Sequence, residues 1–180
     1  MPESIYVRWA KKVLDNYLKK VILINPENEF KSLENERAGC FVTLHKKNGE
    51  LRGCIGTFLP TKDNLALEIR NNAISAAIRD PRFQPVSYEE FKSDIILSVD
   101  ILSDPKLIKD YADDIDYSLL DPKKYGIIVE DFSKWRRGLL LPDLEGVDDI
   151  DYQIAIAKNK AGIYGDEQIR IYRFTSTRYF

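Results

Sequence analysis

The segment Cys40-Phe-Val-Thr-Leu-His-Lys-Lys-Asn-Gly-Glu-Leu-Arg-Gly-Cys-Ile-Gly56 decides the fold. Asn48-Gly49 is the strongest short-range hairpin signal, and the flanking residues alternate in polarity, so strands are predicted over 40–46 and 50–58. With Asn48 and Gly49 as a two-residue turn, Lys47 faces Glu50, His45 faces Arg52, Thr43 faces Cys54 and Phe41 faces Gly56, all on one side of the ribbon. Val42, Leu44, Leu51 and Ile55 occupy the other side and read as core. The first side therefore holds Thr43, His45, Arg52 and Cys54 as a polar cluster. The chain's single histidine lies diagonally across from Cys54, at ~7–8 Å between backbone positions. Cys54 itself sits between Gly53 and Gly56, directly beyond Arg52. Glycine permits close approach of backbone or ligand, and a nearby cation favours a reactive thiolate.

Upstream, Ser4 caps a first helix whose Tyr6, Trp9, Val13, Leu14, Tyr17 and Leu18 recur at helical spacing and leave a lysine-rich outer face. Asn25-Pro26-Glu27-Asn28 breaks the chain, and residues 27–38 read as polar loop. Downstream, a second helix is predicted from Asn64 to Arg79 with Leu65, Ile69, Ala73, Ile74, Ala76 and Ala77 inward. Asp80-Pro81 ends it, and Arg82 to Val86 is expected to be a stiff extended loop. Ser87 and Glu90 have the spacing of a capping box before a short helix.

A strand is predicted over 94–102, with Ile96, Ser98 and Asp100 on one face and Ile95, Leu97, Val99 and Ile101 on the other. Residues 106–123 read as a short helix with acidic loop. Two further strands, 125–129 and 135–141, are joined by 130–134. Asp148 or Asp149 caps a helix through Ile150, Ile154, Ala157 and Ala161 that stops at Gly162, and 169–174 forms a closing strand. Strands in hairpins with helices between groups give an α+β class with mainly antiparallel sheet and no βαβ series.

The 180 residues suit one domain or two interleaved lobes, and 44% hydrophobic with 31% charged residues is an ordinary globular composition. A net charge of −2 offers no global basic field, so neither nucleic acid nor an anionic membrane is an expected partner. Two cysteines and no signal-peptide pattern point to a reducing, cytoplasmic setting with free thiols. Cys40 and Cys54 project from opposite faces of the hairpin, which disfavours a disulfide. A zinc site from Cys40, His45 and Cys54 lacks paired spacing and a fourth ligand, so no metal is expected. Gly53-Cys-Ile-Gly56 lies within a strand rather than between two helices, unlike the nucleotide clamp of KH modules. No dinucleotide, phosphate-loop or serine-hydrolase motif occurs, and no cofactor is expected.

Six ordered blocks carry a family resemblance: Phe41-Val-Thr-Leu44, Leu51-Arg-Gly-Cys-Ile-Gly56, Asp80-Pro-Arg-Phe-Gln-Pro-Val86, Tyr125-Gly-Ile127, Arg137-Gly-Leu-Leu-Leu-Pro142 and Lys160-Ala-Gly-Ile163. Together, over roughly residues 35–175, the chain resembles the AMMECR-one domain family, the protein A type of the AmmeMemoRadiSam system. The resemblance implies an α+β fold of two lobes with a cleft near Arg52 to Gly56, in cytosolic proteins. It also implies a pathway shared with a Memo-type protein and a radical S-adenosylmethionine enzyme. The residues carried over are Arg52, Gly53, Cys54 and Gly56, then Asp80, Arg82, Arg137 and Lys160; His45 is not part of the pattern.

Two functions fit. In the first, Cys54 is an attacking or ligand-bearing thiolate tuned by Arg52. Gly53 and Gly56 admit a small polar or anionic substrate, Asp80 and Arg82 orient it, and Arg137 or Lys160 neutralises its charge. In the second, the cleft is a non-catalytic adaptor surface that docks a peptide or partner protein. Each residue also has a structural explanation: a buried cysteine on a hairpin, a helix-terminating Asp80 to Arg82 ion pair, and cations at the ends of a strand and a helix.

Overall fold

The computed structural model describes residues 2–111, 113–131, 135–165 and 167–180. The chain forms two compact units, one of residues up to Leu102 together with Thr177–Phe180, the other Ser103–Ser176.

In the first unit, α1 (Ile5–Lys20) starts at Ser4, whose hydroxyl accepts the Val7 amide, and buries Val7, Trp9, Ala10, Val13 and Leu14. Residues 27–38 do not form a plain loop. Asn28–Asn35 is a 3-10 helix, because Phe30 and Leu33, three residues apart, both turn into the core. Strands β1 (Cys40–Lys46) and β2 (Leu51–Thr57) form the expected hairpin, and α2 (Leu65–Ile78) follows from the N-cap Asn64. The α3 helix (Tyr88–Asp94) begins at Ser87, and β3 (Ile95–Leu102) pairs with β1. A strand absent from the sequence reading, β8 (Ser176–Tyr179), completes a sheet of order β2-β1-β3-β8.

The α2 helix organises this unit. Its inward face is Leu65, Ala66, Ile69, Ala73, Ile74, Ala76 and Ala77, and the alanines let it lie close on β1 and β2. Trp9 Nε1 donates to the Ala66 carbonyl at 2.8 Å, tying α1 to α2. The buried Glu68 carboxylate accepts from the Thr57 and Thr61 hydroxyls and from the Thr61 and Lys62 amides at 2.6 to 3.0 Å, which secures the segment after β2. Asn72 donates to the Cys40 carbonyl at 3.0 Å. Burying both polar side chains is tolerable because their groups are matched.

The hairpin differs from expectation at its tip. Gly49 N–H reaches the Lys46 carbonyl and Lys46 N–H the Glu50 carbonyl, so the loop is the three residues Lys47, Asn48 and Gly49, with Gly49 at φ 92°. The extra loop residue shifts the register: His45 faces Leu51 and not Arg52. A bulge then restores the expected pairs, Leu44 with Gly53, Thr43 with Cys54 and Phe41 with Gly56. Arg52 is the residue left without a partner, and bulges re-aim the side chains they carry.

In the second unit, residues 106–123 hold β4 (Lys106–Lys109) and a 3-10 turn at Tyr117–Leu119 where a short helix was expected. Strands β5 (Gly126–Asp131) and β6 (Arg136–Leu140) match the prediction, although residues 132–134 of the joining segment lie outside the described residues. The α4 helix (Ile150–Ala161) is capped by Asp149 and ends at Gly162 with φ 67°. With β7 (Arg170–Phe174) the sheet order is β4-β7-β5-β6, antiparallel at each pair. The α4 helix covers it through Ile154 and Ala157 against Ile127, Val129, Leu140 and Ile171. The class is α+β with antiparallel sheets, as predicted.

Gly53 marks the closest approach of α2 to β2, since an added Cβ there would collide with the Ala76 carbonyl oxygen. Gly53→Ala is expected to destabilise the protein by about 1–3 kcal/mol, the usual cost of overpacking. A urea titration reads this directly, and an unchanged midpoint would show that α2 is not seated on the strand as described.

Candidate functional site

Cys54 is half-buried, on the side of the hairpin opposite the fully buried Cys40. Its backbone groups point outward from the ladder: the amide donates to Asp80 Oδ2 at 2.9 Å, and the carbonyl accepts from Arg82 Nη2 at 3.2 Å. Thr43 and Cys54 are therefore a non-hydrogen-bonded pair, the kind whose side chains stand closer together. Thr43 Oγ1 accordingly donates to Cys54 Sγ at 3.3 Å. His45 is not the sulfur's partner among the described residues.

The segment after α2 braces the edge of β2. It is not uniformly extended: Phe83 N–H bonds back to the Asp80 carbonyl, making a turn before residues 84–86, and Val86 N–H returns to the Ala77 carbonyl. Asp80 is buried and accepts from the Arg82 amide at 3.1 Å, Arg82 Nε at 2.9 Å and Arg82 Nη2 at 2.7 Å. Side-chain hydrogen bonds from Arg82 hold the Asp80 carboxyl well below the ordinary carboxylate range, against the opposing effect of burial, with the Cys54 and Arg82 amides adding to the depression. Asp80 in turn raises the Arg82 guanidinium, to which Cys54 contributes less.

Arg52 does not stand beside the thiol as a free cation. Its Nε and Nη2 form a two-pronged bond to the Glu90 carboxylate at 2.6 and 3.0 Å, and Nη1 donates to the Gln84 carbonyl at 2.9 Å. The Arg52 and Arg82 guanidiniums lie 5.9 and 5.4 Å from the Phe83 ring centre. Glu90 thus departs from the expected capping box. Ser87 Oγ accepts the Glu90 amide at 3.1 Å, but the Glu90 carboxylate turns to Arg52 instead of back to the cap. Residues 51–56 and 80–86, well apart in the chain, are one interlocked unit.

Residues 7–179 match the AMMECR1 family. The chain belongs to it. A Thermotoga maritima protein is 55% identical over 179 residues, covering 98% of both chains. A Clostridium acetobutylicum protein is 43% identical over 97% of this chain, but the match spans 35% of that protein's length. The crystal structure of an uncharacterised Pyrococcus horikoshii protein superposes with a TM-score of 0.82 at 32% identity, over 96% of this chain and 88% of that one.

Within this AMMECR1 domain, Arg52, Gly53, Cys54, Gly56, Asp80 and Arg82 are gathered in the first unit. Gly53 and Gly56 meet protein and not open space, since added Cβ atoms would strike Ala76 and Phe41 respectively. Arg137 and Lys160 belong to the second unit. Arg137 Nε is paired with Glu130, and Lys160 is exposed in the last turn of α4. Two cavities, of about 430 Å³ at Phe91 and Ile95 and about 320 Å³ at Tyr125 and Phe174, are lined by residues other than Cys54.

The sequence reading missed Glu90 as the partner of Arg52, because the capping-box spacing explained it already. It also missed Arg178, whose Nε lies 2.9 Å from the buried Asp100 carboxylate. Neither Asp100 nor Arg178 carries a local signal for a partner 78 residues away. No described group of His, Cys, Asp and Glu could hold a metal ion, and no described helix is long and apolar enough to cross a membrane.

The depressed Asp80 value fixes a sign. A carboxylate lowered in the folded state stabilises the fold above its unfolded value, about pH 4, and that contribution is lost as pH falls toward the folded value. Asp80→Asn is expected to cost about 1–3 kcal/mol near neutral pH, because Arg82 is half-exposed and the remaining hydrogen bonds are weaker. It should also flatten the decline of stability below about pH 4. Urea midpoints measured across the acid range for both proteins check this, and superimposable acid limbs would remove Asp80 from the account.

Proposed function

We propose that Cys54 is the working thiol of a site that handles a small polar or anionic molecule. The observation that supports this reading is the sulfur's setting. It is half-buried, it receives a hydrogen bond from Thr43 Oγ1 at 3.3 Å, and its backbone is clamped on both sides by Asp80 and Arg82. The hydroxyl donor holds the sulfur in one direction, and a fixed backbone removes positional freedom before reaction. Arg82, half-exposed and already bonded to the Cys54 carbonyl, is the cation that meets an anionic group. Arg52 takes a supporting role through Glu90. Asp80 positions Arg82 and Cys54 and does not itself meet the substrate.

The test compares the two thiols in one molecule. Cys40 is buried to 0% exposure, and that burial pushes its pKa up to about 12. Iodoacetamide, which forms a carbon–sulfur bond with loss of iodide and of the thiol proton, is expected to modify native protein at Cys54 alone. Cys40 should react only after unfolding. Cys54→Ser should abolish native labelling, and Thr43→Val should slow it by about tenfold, equivalent to one weak hydrogen bond. Peptide mass spectrometry reads both rates. Labelling of Cys40 at a rate comparable to Cys54 would defeat the proposal.

The adaptor reading has one observation in its favour, the C. acetobutylicum relative in which a matching segment is about a third of a longer chain. In that reading the domain acts beside partner proteins of the Memo and radical S-adenosylmethionine type in a cytoplasmic pathway. Pull-down of purified partners should survive Cys54→Ser and fail with Arg82→Glu. Loss with Cys54→Ser and retention with Arg82→Glu would reject it.

A further inference from the structure

The second unit contains a cavity of about 320 Å³ where β4 begins and β7 ends. It is independent of Cys54. Its construction follows from the register. Gly126 pairs with Phe174, and a Cβ at Gly126 would strike the Phe174 ring, so the missing side chain is what lets that ring lie over the strand. Phe174 is 2% exposed, and its ring lies on the Gly126 face of the sheet, opposite the face that carries Arg173, so it backs the cavity without meeting a ligand. Tyr125, the residue before β5, forms the aromatic surface. Ser103 holds the mouth in shape, its amide donating to the Thr175 carbonyl and its hydroxyl accepting the Thr175 amide, each at 2.9 Å.

Two cations line this apolar hollow. Lys106 and Arg173 face each other across the β4 and β7 ladder. The Arg173 guanidinium lies 4.4 Å from the Tyr125 ring centre, held there by stacking. Among the described residues its one hydrogen bond goes to the Leu119 carbonyl, which leaves most of its five N–H donors uncommitted. The Lys106 side chain has no hydrogen bond or ion pair among the described residues. Asp104 is the one carboxylate of the lining, so the ionised groups sum to a single positive charge, from two cations and one anion.

We infer that this cavity binds a small carboxylic acid with a flat apolar body. The volume is at the lower end of the range for small-molecule sites, which are mostly apolar with a few convergent polar groups. The flat body suits Tyr125, and the planar fork of Arg173 with Lys106 suits a carboxylate. An anion without an apolar body would leave the Tyr125 ring unused, and an uncharged ring would leave both cations unmatched.

Benzoate titrated into the 180-residue chain, followed by amide NMR shifts, is the direct probe. Saturable shifts are expected at Ser103, Gly126 and Thr175. Benzamide and inorganic phosphate should each bind at least about tenfold more weakly than benzoate. Arg173→Gln should weaken benzoate by about tenfold, and Lys106→Gln, an exposed position where folding is not at risk, by a similar factor. Cys54→Ser should leave the titration unchanged, which separates this site from the thiol reading. Absence of saturable shifts up to about 10 mM benzoate, equal affinity for benzamide or phosphate, or shifts indifferent to Lys106→Gln would each overturn the inference.

Discussion

The close seating of α2 on β2 governs the first unit. Ala73, Ala76 and Ala77 on the helix and Gly53 on the strand remove the side chains that would hold the two apart. That approach determines where the helix ends, and hence where Asp80 begins the next segment. From there the Asp80 carboxylate is within reach of the Cys54 amide. A bulkier residue at Gly53 would raise the helix and carry Asp80, Arg82 and Phe83 away with it. Site geometry and core packing are the same constraint at this point in the chain.

Two arginines near the thiol have different duties. Arg52, displaced from the ladder by the bulge, is spent on Glu90 and the Gln84 carbonyl and so joins β2 to α3. Arg82 is anchored by a buried acid while remaining half-exposed. A charge pair with one partner buried and the other in contact with water keeps its cation both fixed and available. Among the described residues the thiol has one side-chain hydrogen-bond partner, the Thr43 hydroxyl.

Much of this was legible in the amino-acid sequence, for reasons that are local. Helix caps at Ser4, Ser87, Asp149 and Gly162 were readable because each requirement is met within a few residues. The pairing of Thr43 with Cys54 followed from the alternation of the hairpin, and the placement of the two cysteines on opposite faces with it. The turn type was misread because Asn-Gly serves both two-residue and three-residue loops. Asn48 accepts the Glu50 amide and draws the loop out by one residue. The 3-10 helix at residues 28–35 escaped notice because two buried residues among six polar ones look like loop until a core is there to receive them. Strands β4 and β8 are four residues each, too short to carry a period. The commitment of Arg52 to Glu90 was invisible because neither residue's neighbourhood in sequence names the other.

The same bulge bears on how the molecule behaves in crowded solution. β2 is the outer strand of its sheet, a place where an unbroken row of amides and carbonyls invites another chain to add itself. Here that row is interrupted at Arg52, and at the next outward-facing position the donor and acceptor of Cys54 are occupied by Asp80 and Arg82. A second copy would find no continuous template along this border. The loop that steadies the cysteine thereby also guards against fibre-like self-association.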